Sequence, residues 1–226
     1  LRHLGVSTAL ELKNSNAKFI RKHTSVVLER MVYELRGMPC LDIESISPKK
    51  NIMSSKSFGT SIADIEPILE ALSSYAARAC EKLRKQNSKA GGIYVFIRTN
   101  PFHQNKPQYK NGHALNFDLP TSDSRVILYA ARRLMRGLYR KGYKYHKCGI
   151  MLLDLVPDNY KQTHFFSTND SEDQNNFMKT VDRINNYMGP QTLFYLSQGI
   201  SKEWKMKCEN RSNRYTTKWS ELLEVN

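Results

Sequence analysis

Residues 49–59 read KKNIMSSKSFG, lysines and serines around Ile52 and Phe58 with no acidic residue. A short run of this kind is strand-like, and basic side chains gathered on an uncovered sheet face would lie against a polyanion backbone. The stretch opens a succession of strand and helix signals that ends near Leu155.

Working outward, the apolar residues Ile68, Leu69, Leu72, Ala76, Ala79 and Leu83 form one stripe of a helix predicted from Asp64 to Lys85, with Pro67 in its tolerated first turn. Gly91 and Gly92 then break the chain. Ile93, Val95 and Ile97 alternate with Tyr94, Phe96 and Arg98, so one face of this strand meets the helices and the other is free. Residues 100–111 read as loop and Ala114–Leu119 as a short strand. Thr121 or Ser122 is the expected cap of a second helix, with Ile127, Ala130, Ala131, Leu134 and Leu138 inward and Arg125, Arg132, Arg133 and Arg136 outward. Cys148–Leu155 is a nearly continuous apolar run, the sign of a buried strand. This βαββαβ order predicts a split βαβ, or ferredoxin-like, module of the α+β class.

The chain of 226 residues carries 35 Lys and Arg against 21 Asp and Glu, a net charge of +14 with a pI near 9.6. Such an excess concerns partners rather than fold, and nucleic acid and acidic membrane are the common polyanions. No run approaches the roughly 18 apolar residues of a membrane span, and the N-terminus lacks the order of a signal peptide. A cytoplasmic or nucleoid-associated protein with no membrane partner is expected. Between Ser122 and Ile150, Asp123 is the sole acid beside Arg125, Arg132, Arg133, Arg136, Arg140, Lys141, Lys144 and Lys147. That excess is either a solvated surface or a polyanion site, and its recurrence at 49–56 and 78–89 favours the second. Cys40, Cys80, Cys148 and Cys208 lie far apart without zinc-ligand spacing, so no metal site is expected.

At the N-terminus, LRHLGVSTALEL places a tight turn before an apolar helix. It reads as the second half of a helix-hairpin-helix, whose turn offers backbone N–H groups to a phosphate, or as a plain capped helix. One helix is predicted over Asn14–Arg36, ended by Gly37 and Pro39, and 38–48 reads as a connector in which Asp42 and Glu44 are too isolated to form a catalytic pair. Residues 156–173 read as a polar linker interrupted by QTHFF at 162–166, either a short docking peptide for an apolar groove or a tether onto its own domain. Beyond it, Asn175–Met188 reads as a helix and Thr192–Leu196 as a strand after Gly189-Pro190. The tail, with Trp204, Arg211, Arg214, Lys218 and Trp219, packs on itself or on DNA. The chain begins at Leu1 rather than methionine, which fits a piece of a longer chain.

LGVSTALEL, FIRKHTSVVLERMVYELRGMPC, SSKSFG, SYAARACEKLR, FIRTNPF and WKMKCENRSNRYTTKWSELL, in that order, resemble the C-terminal half of the UmuC family, catalytic subunits of bacterial DNA polymerase V within the Y-family translesion polymerases. The closing RYTTKWSELL is similar to the terminal signature of UmuC proteins in particular. The resemblance implies a thumb remnant at 1–39, a connector at 40–48, a little-finger DNA-binding domain at 49–155, a linker with a clamp-binding peptide at 156–173 and a C-terminal domain, a small α+β extension, at 174–226. It implies backbone contacts to template-primer DNA from Gly5, Val6 and Ser7 and from Ser55, Lys56, Ser57 and Arg98. Gln162, Phe165 and Phe166 would anchor a sliding clamp, although His164 and the lack of a central leucine depart from the stronger form of that peptide. A UmuD-like subunit and RecA are the further partners implied.

The family's metal-holding palm sequence, resembling SxDE, does not occur in these residues. The two Mg2+ ions of phosphoryl transfer would sit in that palm, so this chain is expected to hold no cofactor and no catalytic residue and to be inactive alone. Two other readings stand beside this one. One is a truncated interaction protein competing for DNA, clamp or the UmuD and RecA partners. The other is an RNA-binding RRM-like module, with GGIYVF at 91–96 echoing an aromatic strand but no stacking aromatic in 51–57.

Overall fold

In the computed structural model, which describes residues 1–41, 48–103, 105–159, 171–208 and 211–222, the alternating stretches pair into one antiparallel sheet. The strands β1 (Ile52–Ile62), β2 (Ser88–Thr99), β3 (Lys110–Thr121) and β4 (Tyr145–Pro157) stand in the order β1-β4-β2-β3. β4 lies between β1 and β2, and β2 between β3 and β4, so each helical crossover spans one strand: the split arrangement predicted from the element order. The strands run several residues past the predicted bounds because β2 and β4 are central and pair on both sides.

Helix α4 (Ile65–Lys85) and helix α5 (Ser124–Leu138) cover one face of this sheet. Ile68, Leu72, Ala76, Ala79 and Leu83 of α4 bury against Ile93, Val95 and Ile97 of β2 and Ile150 and Leu152 of β4. The cap of α5 is Asp123, not Thr121 or Ser122: its carboxylate accepts from the Arg125 amide at 2.7 Å, and a carboxylate at a helix N-terminus also meets the dipole.

The chain divides into two compact units, Leu1–Ser47 and Pro48–Asn226. In the first, the single helix expected over Asn14–Arg36 is two, α2 (Ala17–His23) and α3 (Val26–Leu35), preceded by the short α1 (Ala9–Asn14). The Thr24 hydroxyl donates back to the Ile20 carbonyl at 2.6 Å and ends α2, and the Ser25 hydroxyl, accepting from the Leu28 amide, starts α3. Ile20 and Val32 meet across this corner with Val6, Leu12 and Ala17. Gly37 closes α3 with a positive φ, as its position predicts.

In the second unit, α6 (Ser171–Met188) and the residues after it pack on the helical side of the module. The strand expected at Thr192–Leu196 does not form. Asn185 holds Leu193 through both its amide and carbonyl, no neighbouring strand among the described residues offers a ladder, and the segment closes into a 3-10 turn at Leu196–Gln198. Among the described residues the extension is therefore helix, turn and coil. Trp204 sits in the main core with its ring edge-on to Tyr75, centroids 5.7 Å apart, and its carbonyl accepts from the Gly59 amide on β1. A Cβ at Gly59 would run into the Lys205 carbonyl, so the close approach needs glycine there. No described helix is long and apolar enough to cross a membrane.

Candidate nucleic-acid interface

Pleating and register decide what the uncovered face carries. Ser57, Lys147, Arg98 and Lys110 occupy one row across all four strands; the next row is Ser55, Gly149, Phe96 and Gly112, and the third is Met53, Met151, Tyr94 and Ala114. The central part is a flat floor. A Cβ at Gly149 would lie 2.7 Å from Cζ of Phe96, and one at Gly112 would strike the Tyr94 phenol, so both rings lie down over positions without side chains. The two rings stack with centroids 6.1 Å apart.

The row of Lys147, Arg98 and Lys110 is the electrostatic feature of this face. Directly paired cations repel and weaken a sheet. None of the three side chains has a hydrogen-bond or ion-pair partner among the described residues, and the Arg98 Nε is buried with nothing to donate to. Three uncompensated cations in one cross-strand row form a rigid comb for an external anion.

Lys56, expected beside Arg98, belongs to the other face. It pairs with Cys148 and shares its parity with the buried Ile52, Ser54 and Phe58, so it emerges, exposed, at the β1 edge on the helical side. Ser55 and Ser57 do lie on the uncovered face with Arg98. Sequence reasoning passed over Lys147 and Lys110 as site residues; the parity of Lys147, opposite to that of the apolar Cys148, Ile150 and Leu152, would have put it on the uncovered face.

At the N-terminal turn the amides expected to meet a phosphate are already occupied. Gly5 donates to the Arg2 carbonyl at 3.1 Å and Val6, itself buried, to the Leu1 carbonyl at 3.2 Å. Ser7 and Thr8 both donate to Glu11 Oε2, at 2.6 and 3.2 Å, while Thr8 Oγ1 accepts from the Glu11 amide. This is a complete capping box, and the Glu11 carboxylate sits where the anion was expected. The Ser7 amide first, then that of Thr8, holds its pKa below the usual value.

The arginines of α5 are also less free than their spacing implied. Arg125 pairs with Asp123 at 2.7 Å, Arg132 donates to the Ser197 carbonyl and lies 3.9 Å from Glu66, and Arg136 lies 3.7 Å from Glu66. Gln162, Phe165 and Phe166, with Asp42 and Glu44, fall outside the described residues. No group of three or more His, Cys, Asp or Glu among the described residues could hold a metal ion. Burial pushes the Cys80 thiol up to about 11 and Cys148 higher still, so neither offers a thiolate.

An RRM stacks bases on aromatics that stand proud of its sheet. Here both aromatics belong to one strand and lie flat, while the open positions of β1 and β4 are Met53, Ser55, Ser57, Lys147, Gly149 and Met151.

Residues 49–165 match the impB/mucB/samB family C-terminal domain, and residues 175–225 match a domain of unknown function (DUF4113). Over 227 aligned residues and the whole of this chain, Protein UmuC of Salmonella typhimurium (strain LT2) is 42% identical, with 54% of its own length covered. Protein ImpB of Salmonella typhimurium is 40% identical over 98% of this chain and 53% of its own. The chain thus spans about half the length of these curated relatives. Among solved structures, DinB from Sulfolobus solfataricus aligns with a TM-score of 0.38 and 16% identity over 70% of this chain and 44% of that one. A match over more than half the chain, with relatives this similar along all of it, carries one conclusion: the chain belongs to the impB/mucB/samB family.

Proposed function

We propose that this chain is the template-primer-gripping part of a UmuC-like, Y-family translesion polymerase, acting in error-prone lesion bypass during the SOS response when joined to a catalytic palm. The observation that carries the reading is the unpaired row Lys147, Arg98 and Lys110 on the sheet face opposite α4 and α5, which no described helix of the same unit covers. Those cations, with the hydroxyls of Ser55 and Ser57, take backbone phosphates and read no base edges. Phosphate contacts fix register without sequence preference, which suits an enzyme that must accept a distorted template. Residues 162–166 supply a peptide for the sliding clamp, and a UmuD-like subunit and RecA complete the assembly; family membership supports these partners.

The test is duplex binding by the whole chain as a function of salt. Affinity that falls steeply with salt, and by similar amounts for unrelated duplex sequences, supports the reading. Affinity indifferent to salt, or confined to one sequence, overturns it.

A further inference from the structure

The helical side of the module holds a cleft of about 340 Å³ where the C-terminal end of α4, the middle of α6 and the turn at Asn87–Ser88 meet. Of its carboxylates, Asp182 is held by Arg84 at 2.6 Å, and Asp158 lies 3.3 Å from the Lys89 ammonium, which donates to the Asp158 backbone carbonyl and leaves the carboxylate Oδ1 without a hydrogen bond. Lys85 is turned to Glu81 at 2.7 Å. Lys179 and Arg183, one turn apart on α6, line the same cleft and have no counter-charge among the described residues. The side chains of Asn87 and Asn186 line it too and are unclaimed there. Counting Arg84, Lys85, Lys89, Lys179 and Arg183 against Glu81, Asp158 and Asp182 leaves the surroundings with two positive charges in excess. Beside Arg183, one turn on, Tyr187 stands 91% exposed.

We infer that this cleft is a second nucleic-acid site, one that takes the sugar–phosphate backbone of a single strand. A cavity of this size admits one chain, whereas a duplex presents a major groove about 12 Å wide and needs a broad face. Free cations and amide donors suit phosphate oxygens, and an exposed tyrosine at the rim suits an unstacked base, the combination by which single strands are held without sequence preference. The site lies on the opposite side of the sheet from the Arg98 row, so the two surfaces can hold different strands at once. It also gives the 175–225 region, through Lys179, Arg183 and Tyr187, a direct role in handling nucleic acid.

The experiment measures binding of an oligothymidylate of about 12 nucleotides and of a duplex to the whole chain and to two double variants, Lys179→Ala/Arg183→Ala and Arg98→Ala/Lys147→Ala. Lys179 and Arg183 are exposed and Arg98 and Lys147 half-buried, so thermal melting checks that each variant folds. The first variant is expected to lose about tenfold in oligothymidylate affinity and to keep its duplex affinity, and the second to do the reverse. Tyr187→Ala should cost oligothymidylate binding about fivefold or more. Unchanged oligothymidylate binding in the first variant overturns the inference while leaving the duplex reading intact. Equal loss of both ligands in that variant also overturns it, because the cleft would then belong to a single shared surface.

Discussion

Arg84 and Asp182, 98 residues apart in sequence, meet in a two-pronged ion pair, Nε to Oδ2 at 2.6 Å and Nη2 to Oδ1 at 2.7 Å. The remaining guanidinium nitrogen donates to the Ser122 carbonyl and the Ser124 hydroxyl, so one arginine ties α4, the start of α5 and α6 together. Burial is the largest influence and opposes its charge, but the Asp182 hydrogen bonds and the neighbouring charge interactions together exceed it and raise its pKa. Asp182→Asn leaves a mostly buried cation without its counter-charge and is expected to cost about 2 kcal/mol, read as a lower midpoint in urea. Stability equal to the parent chain would show that α6 contributes nothing to the unit.

The register assigns unequal roles to neighbouring cations. Arg98→Ala/Lys147→Ala should reduce the slope of log affinity for duplex against log salt by about 2, whereas Lys56→Ala should leave the slope unchanged. A loss in Lys56→Ala as large as in the pair would mean that duplex lies along the β1 edge instead.

Gly59→Ala places a methyl group against the Lys205 carbonyl. Because backbone cannot swing aside like a side-chain tip, the segment around Trp204 should lift from β1. Trp204 emission should shift to the red, and trypsin should cut faster at Lys205 and Lys207. A spectrum and a digestion rate matching those of the parent chain would refute the close packing.

Lys218 first, then Arg214, holds the Glu221 carboxyl at about 2, below its ordinary value of 4.5. A carboxylate depressed in the folded state contributes stability that is complete above pH 4.5 and is lost as pH falls toward 2. The turn at 214–222 should therefore survive mild acid, with the Glu221 carboxyl carbon titrating near the lower value by NMR. Lys218→Ala should move that midpoint up toward 4.5.

Much of the module was legible because burial imposes period: β2 and β4 alternate or run apolar as central strands must, and α4 shows one clean stripe. The face of Lys56 was legible too, since Ile52 and Phe58 share its parity and both carry the apolar side chains a core needs. At the N-terminus, Thr8 followed three residues later by Glu11 is the capping-box signature, and it announces that the carboxylate folds back on the turn. The extension was not legible. Arg84 finds Asp182, and Gly59 finds Trp204, through contacts between distant segments that leave no periodic trace, and Thr192–Leu196 has strand-forming residues without a strand to join.

A four-stranded sheet ends in two borders at which a stranger's backbone can add. On β1 the amide of Gly59 is taken by the carbonyl of Trp204. On β3 the border carries Lys110, Asp118 and Pro120, charges and a missing donor that oppose strand addition. The extension thus occupies the rim of β1 at Gly59, and a chain cut short before Trp204 would leave that amide open to a foreign backbone.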